Sequence, residues 1–283
     1  MNIKITVDST ADLDYLAKDK NIPVLAAPIE LGGAAYYDGI DIDPLIIFET
    51  YDNKKIIPKT SAINQEEYAE FFKTQKPENG VLIHLTISSD LSVSYTNAIK
   101  AAKDIEGVHI IDTRTVSTGI ALLALKALDF IKEGLGLEEI LKKIEALKDH
   151  IQTSFIVNNL EFLHKGGRCT GMQMILAGIL KIRPVLQLVD GKITPARKYK
   201  FINFRKSMQR YIEETLSKYN TPDYSRIILT HTYVDDELIE EAKEMIKSIA
   251  PDFKEIIVTT AGSTITTHCG KGTLGMLYIN SEL

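Results

Sequence analysis

The chain has 283 residues, 45% hydrophobic and 25% charged, an ordinary globular balance with length for two domains or one large α/β domain. Lys+Arg 33 against Asp+Glu 38 gives a net charge of −5, which excludes the basic footprint of a nucleic-acid binder. Two cysteines make neither a disulfide framework nor a metal site, and no long apolar run or signal-peptide core is present, so a cytoplasmic protein is expected.

Ile3–Val7 reads as a strand, with Ser9 or Thr10 capping a helix over 12–20. Ile22–Leu31 predicts a second strand, and Asp38-Gly39 a turn. Asp43-Pro44 opens a short helix, and Asn64-x-x-Glu67 has capping-box spacing for a helix to about Lys73. Val81–Thr86 is a buried strand, followed by a turn with serines at 88, 89, 92 and 94 and a helix over 96–104. That order gathers hydroxyls and free amides at a helix start, where an anion is favoured; ordinary capping is the alternative. A strand over 108–111, a long apolar helix through Ile131 and an amphipathic helix over 137–151 follow. This alternation predicts a parallel, doubly wound sheet over residues 1–152, with ligands beyond the carboxyl ends of its strands.

Residues 153–283 read as a second α/β domain on a mixed sheet. A strand over 154–157, a short helix ending at Gly166-Gly167 and an apolar helix over 171–182 come first. Asp190-Gly191 marks a hairpin. A helix over 204–219, a strand over 227–232, a helix over 236–249, a strand over 255–260 and a closing strand through Ile279 complete the chain.

Several motifs carry no function. Gly270, Gly272 and Gly275 fit G-x-G-x-x-G but run into a strand rather than opening a helix, and no P-loop is present. Asp8 and Asp112 end strands, where capping is the plainer role than magnesium binding. His231 reads as a packed histidine. Arg197, Lys198, Lys200, Arg205, Lys206 and Arg210 form the densest basic patch. A solvated face is its plain reading, and transient contact with a partner or anionic membrane the minority one.

Five stretches, in order, resemble the signature blocks of the DegV family: Asp8-Ser9-Thr10-Ala11-Asp12-Leu13, Lys59-Thr60-Ser61, the serine-rich 88–95 turn, Leu163-x-Lys165-Gly166-Gly167-Arg168 and Thr267-His268-x-Gly270-x-Gly272. The resemblance implies an N-terminal parallel three-layer α/β/α domain and a second, two-layer α/β domain. It implies a non-enzymatic carrier without a cofactor, holding a long-chain fatty acid in a buried tunnel and offering the carboxylate to a separate fatty acid kinase subunit. Carried over by motif position, Thr60, Ser92 and His268 would hold the carboxylate, with Ser61 adjacent, and Arg168 would face the partner. Val93 and Ile63 depart from the family's usual Gly and Pro, and the Val removes a permissive backbone position beside the head-group turn.

Burying a sixteen-carbon tail gains about 0.8 kcal/mol per CH₂, roughly 10 kcal/mol gross. A buried carboxylate then needs two or three donors, each returning roughly 1.5–3 kcal/mol. Met172, Met174, Ile175, Leu176, Ile179 and Leu180 are tail-lining candidates, although core packing accounts for most of them. The rival readings are a hydrolase or phosphotransferase using Ser92 with His268 as base, and a regulatory binder of a small anion.

Overall fold

The computed structural model describes residues 2–158, 160–170, 182–200, 203–218 and 221–281. From the N-terminus, β1 (Asn2–Asp8) leads through a 3-10 turn, Ser9–Ala11, into α1 (Tyr15–Asp19). Next come β2 (Val24–Leu25), β3 (Pro28–Leu31), β4 (Ala34–Tyr37), α2 (Pro44–Lys54), β5 (Lys59–Thr60) and α3 (Gln65–Gln75). The middle holds β6 (Gly80–Thr86), α4 (Ser94–Ala102), β7 (Val108–Asp112), α5 (Thr118–Lys132) and α6 (Leu137–Leu147). Then follow β8 (Ile151–Ile156), α7 (Leu160–Gly166), β9 (Arg183–Val189), β10 (Lys192–Tyr199) and α8 (Phe204–Lys218). The last elements are β11 (Pro222–His231), α9 (Asp236–Ile249), β12 (Glu255–Thr260), α10 (Ser263–Cys269) and β13 (Leu274–Asn280).

β2-β1-β6-β7 form a parallel sheet. Its central strand is buried on both faces: Ile83 and Leu85 meet α5 and α6, while Leu82 meets the aromatic face of α3 and the alanines of α4. The mixed sheet runs β10-β9-β8-β13-β11-β12, with only β11 and β12 parallel. Alternation along β11 and β13 divides its faces. Ile227, Leu229, Met276 and Tyr278 pack on α8 and α9, whereas Ile228, Leu277 and Ile279 join the α5 core. α5 therefore lies between the two sheets. A small antiparallel sheet, β4-β3-β5, flanks them.

Local chemistry explains many boundaries. Asp43 accepts the Leu45 and Ile46 amides, and the Asn64/Glu67 capping box forms. Asp190 and Gly191 both have positive φ, the two-residue turn that matches strand twist. The helix expected over 12–20 shrinks to α1, because Asp12 and Asp14 take positive φ and turn their carboxylates to the 260–262 segment. The expected 22–31 strand breaks at Ala26 and Ala27, Pro28 takes the first position of β3, where a strand tolerates it, and β2 and β3 join different sheets. α10 was hidden in the sequence by its four β-branched residues, which carry low helix propensity. The apolar helix expected over 171–182 lies outside the described residues except for Ile182, which is not helical.

Candidate functional site

A cavity lies beyond the carboxyl ends of β1 and β6, walled by α10 and by the face of the mixed sheet that carries Phe155 and Leu277. Its cavity volume is about 110 Å³. Thr60, Ser61, Ser92, Arg168 and His268 all line it.

Thr60 Oγ1 and His268 Nε2 are 2.8 Å apart. Thr60 is placed by β5, which pairs with β3 at Ile29. His268 rides on α10, whose start is held by distant carboxylates. Asp38 accepts the Ser263 and Thr264 amides at 2.7 and 3.1 Å, and Asp12 accepts the Gly262 amide at 2.8 Å. These acids offset the orphan N–H groups and positive end of a short helix. Burial holds the Asp12 carboxyl well above its usual range, against the lowering effect of Ser117 and the Gly262 amide. Burial, with the Arg168 charge behind it, pulls the His268 imidazole down to about 4. A neutral imidazole follows at physiological pH. Its Nδ1 faces Gly166 without an aligned hydrogen bond, and the Gly166 carbonyl accepts from Arg168 Nη1 at 2.7 Å.

Ser92 makes no direct hydrogen bond to that pair. Its Oγ meets Ser94 Oγ at 2.9 Å and accepts the Ser94 amide at 3.2 Å. The serine turn divides its labour: Ser88 Oγ donates to the Gly191 carbonyl, and the Ser89 amide goes to Asp112. Arg114 reaches Asp90 and the Asp190 carbonyl, tying the turn to the β9–β10 hairpin. Val93 has φ −78, so no glycine is required there, and its side chain is 62% exposed. Ile63 fills the core against Tyr68 and Phe72. Ser61 and Arg168 are exposed at the open side of the cavity.

Ile87, Leu91, Val116, Phe155, Ile265 and Leu277 supply the apolar wall. The proposed methionine-rich lining, Met172 to Leu180, lies outside the described residues. Sequence reading missed Asp8, Thr10 and Thr264 on the wall, although Thr264 stands four residues before His268 on one helix face. Asp8 is a buried network member: Oδ1 accepts Tyr68 OH at 2.8 Å and meets His84 Nε2 at 3.0 Å, while His84 Nδ1 meets Thr6 Oγ1 at 2.9 Å. Burial and the Asp8 charge raise the Tyr68 phenol well above its normal value. Asp112 accepts the Ser89 and Arg114 amides, and His231 Nδ1 accepts the Val234 amide. No group of three or more metal-ligating side chains occurs among the described residues. In the basic patch, Arg197 and Arg210 pair with Glu214, and Arg205 with Glu237 and Glu241.

The site therefore offers a neutral imidazole, several hydroxyls and one guanidinium beside an apolar wall. That set suits a monoanionic head on a greasy body. Ser92 is not paired with His268: its Oγ bonds to Ser94, and the imidazole bonds to Thr60.

The chain matches the family model described as "Uncharacterised protein, DegV family" over residues 2–281. It is 30% identical over 286 aligned positions to a fatty acid-binding protein of Thermotoga maritima, covering 97% of this chain and 96% of that one. Among solved structures it resembles a fatty-acid-binding DegV family protein of Thermus thermophilus, with 28% identity, TM-score 0.88 and coverage of 99% and 100%. It also resembles DegV of Bacillus subtilis, a fatty acid binding protein, with 25% identity, TM-score 0.80 and coverage of 99% and 100%. Aligned over nearly its whole length by sequence and by fold, the chain belongs to the DegV family.

Proposed function

We propose that this protein is a carrier of a long-chain fatty acid rather than an enzyme. The carboxylate sits against Thr60, Ser92 and His268, with Ser61 at the rim, and the tail lies along the apolar wall. The observation that carries this reading is the Thr60–His268 contact on the wall of a largely apolar cavity, joined by relatives named for fatty acid binding. Hydroxyl donors hold a carboxylate without the tight ion pair that would resist release. Arg168, exposed beside the head group, is positioned to meet a partner that phosphorylates the carboxylate, a kinase subunit in this reading. No helix among the described residues is long and apolar enough to cross a membrane. We also divide the chain near residue 152, because the parallel sheet ends at Asp112 and the mixed sheet begins at Ile151.

Denaturing the purified protein and measuring released acids by mass spectrometry tests the carrier reading. Palmitic, stearic or oleic acid in near-equimolar amount is the expected result. Protein that carries none, and after delipidation takes up none, overturns it. The hydrolase reading predicts ester turnover lost in Ser92→Ala, and the observed partners of Ser92 and His268 do not favour it.

A further inference from the structure

Besides His268 Nδ1, which faces Gly166, three polar atoms of cavity-lining residues are buried and have no hydrogen-bond partner among the described residues: Asp8 Oδ2, Thr10 Oγ1 and Thr264 Oγ1. Their residues are 1%, 5% and 6% exposed, so bulk water does not satisfy them. Buried polar groups are nearly always paired, and three left open on one cavity wall call for a ligand group that pairs them. They also converge in the fold. Thr10 follows Asp8 by two residues in the 3-10 turn after β1, and α10 packs against that turn. Thr264 lies one helical turn before His268 on α10, at a spacing of about 6 Å between Cβ atoms.

We propose that Asp8, Thr10 and Thr264 form a second polar subsite, which takes a hydroxyl close to the carboxyl end of the acyl chain. The ligand class is the 3-hydroxy fatty acid, and the inference rests on the carrier reading above. With the head group at His268, a hydroxyl two carbons from the carboxyl carbon falls within one helical turn, level with Thr264. A hydroxyl both donates and accepts. It can donate to Asp8 Oδ2 while accepting from a threonine. A keto group has no proton for Asp8, and a methylene leaves all three atoms unpaired. The saturated acid therefore uses the cavity without using this corner of it.

The test compares hexadecanoic and 3-hydroxyhexadecanoic acid, titrated into the delipidated full-length protein by competition with a fluorescent fatty acid. A wall without a matching polar group rejects an added hydroxyl by roughly 100-fold. The expected result is that the wild type binds the hydroxy acid at least as tightly as the plain one. Replacing Thr10→Val and Thr264→Val together, which keeps side-chain shape, is expected to lower affinity for the hydroxy acid by about tenfold relative to hexadecanoic acid. Thr264→Ser is expected to keep the wild-type ratio, and Thr264→Val alone reads the same ratio should the double variant not fold. Rejection of the hydroxy acid by tenfold or more in the wild type overturns the proposal. So does a ratio that the valines leave unchanged, the outcome for a subsite that holds only water. Failure of both acids to bind overturns the carrier reading instead.

Discussion

Thr60 and His268 are 208 residues apart in the chain and 2.8 Å apart in space. The contact joins the edge strand of the small antiparallel sheet to the last helix, and it brings two polar groups together on the cavity wall. If Nε2 carries the imidazole proton, it donates to Thr60 and leaves the threonine O–H free to donate onward.

That division of roles makes a direct prediction. In the carrier reading, Thr60→Ala with Ser92→Ala removes two of the hydroxyls that would hold the carboxylate. Each hydrogen bond to a charged group is worth roughly 1.5–3 kcal/mol, so binding of palmitate is expected to weaken by at least about 100-fold. Titration calorimetry measures the loss, and an unchanged far-UV spectrum checks the fold. Unchanged affinity would place the carboxylate elsewhere.

His268 predicts a pH dependence of stability. Its folded value is about 4 against 6.5 for the free side chain, chiefly because burial penalises the charged ring. Above about pH 6.5 both folded and unfolded forms are neutral and there is no penalty. As the pH falls from 6.5 towards 4 the unfolded chain binds the proton first, so stability is lost across that window, by up to about 3 kcal/mol. Urea unfolding at several pH values should show the decline. His268→Gln should flatten it, and an equal slope in that variant would assign the effect to other groups.

Gly166 is the wall behind the imidazole. A Cβ there would sit 2.5 Å from His268 Nδ1, so Gly166→Ala must move the ring. We expect a loss of about 1–3 kcal/mol in stability together with weaker fatty acid binding. Gly167 next to it has a positive φ and open space around it. Gly167→Ala should therefore strain the backbone without displacing the histidine, and binding assays on the two variants separate the effects.

Asp38 holds the start of the helix that carries His268. Asp38→Ala leaves the Ser263 and Thr264 amides unpaired in a buried place, at an expected cost of about 1–3 kcal/mol. Asp38→Asn retains an acceptor oxygen and should recover part of the loss. Thermal melts compare the two, and equal midpoints for wild type and Asp38→Ala would show that the cap contributes little.

Much of the architecture was written locally. The apolar run Val81–Thr86, the Asn64/Glu67 capping box, the Asp190-Gly191 turn and the amphipathic pattern of 236–249 each encode their own element, because propensity, capping and turn chemistry act over a few residues. The motif blocks likewise named Thr60, Ser61, Ser92, Arg168 and His268, all of which line one cavity. Other features depended on partners far away in sequence. α10 exists despite its threonines because carboxylates at 12 and 38 hold its first amides. The helix expected over 12–20 is short for the same reason, since Asp12 and Asp14 turn towards that segment. Ser88, which reads as one more hydroxyl for an anion, is spent on a hairpin 103 residues later. The polar corner of Asp8, Thr10 and Thr264 emerged only when β1 met α10. The sequence by itself determined most of the elements, the family and five residues of the cavity wall, because those rest on short-range patterns. Tertiary structure alone decided which hydroxyls find a partner within the protein and which do not, because that depends on neighbours that only folding brings together.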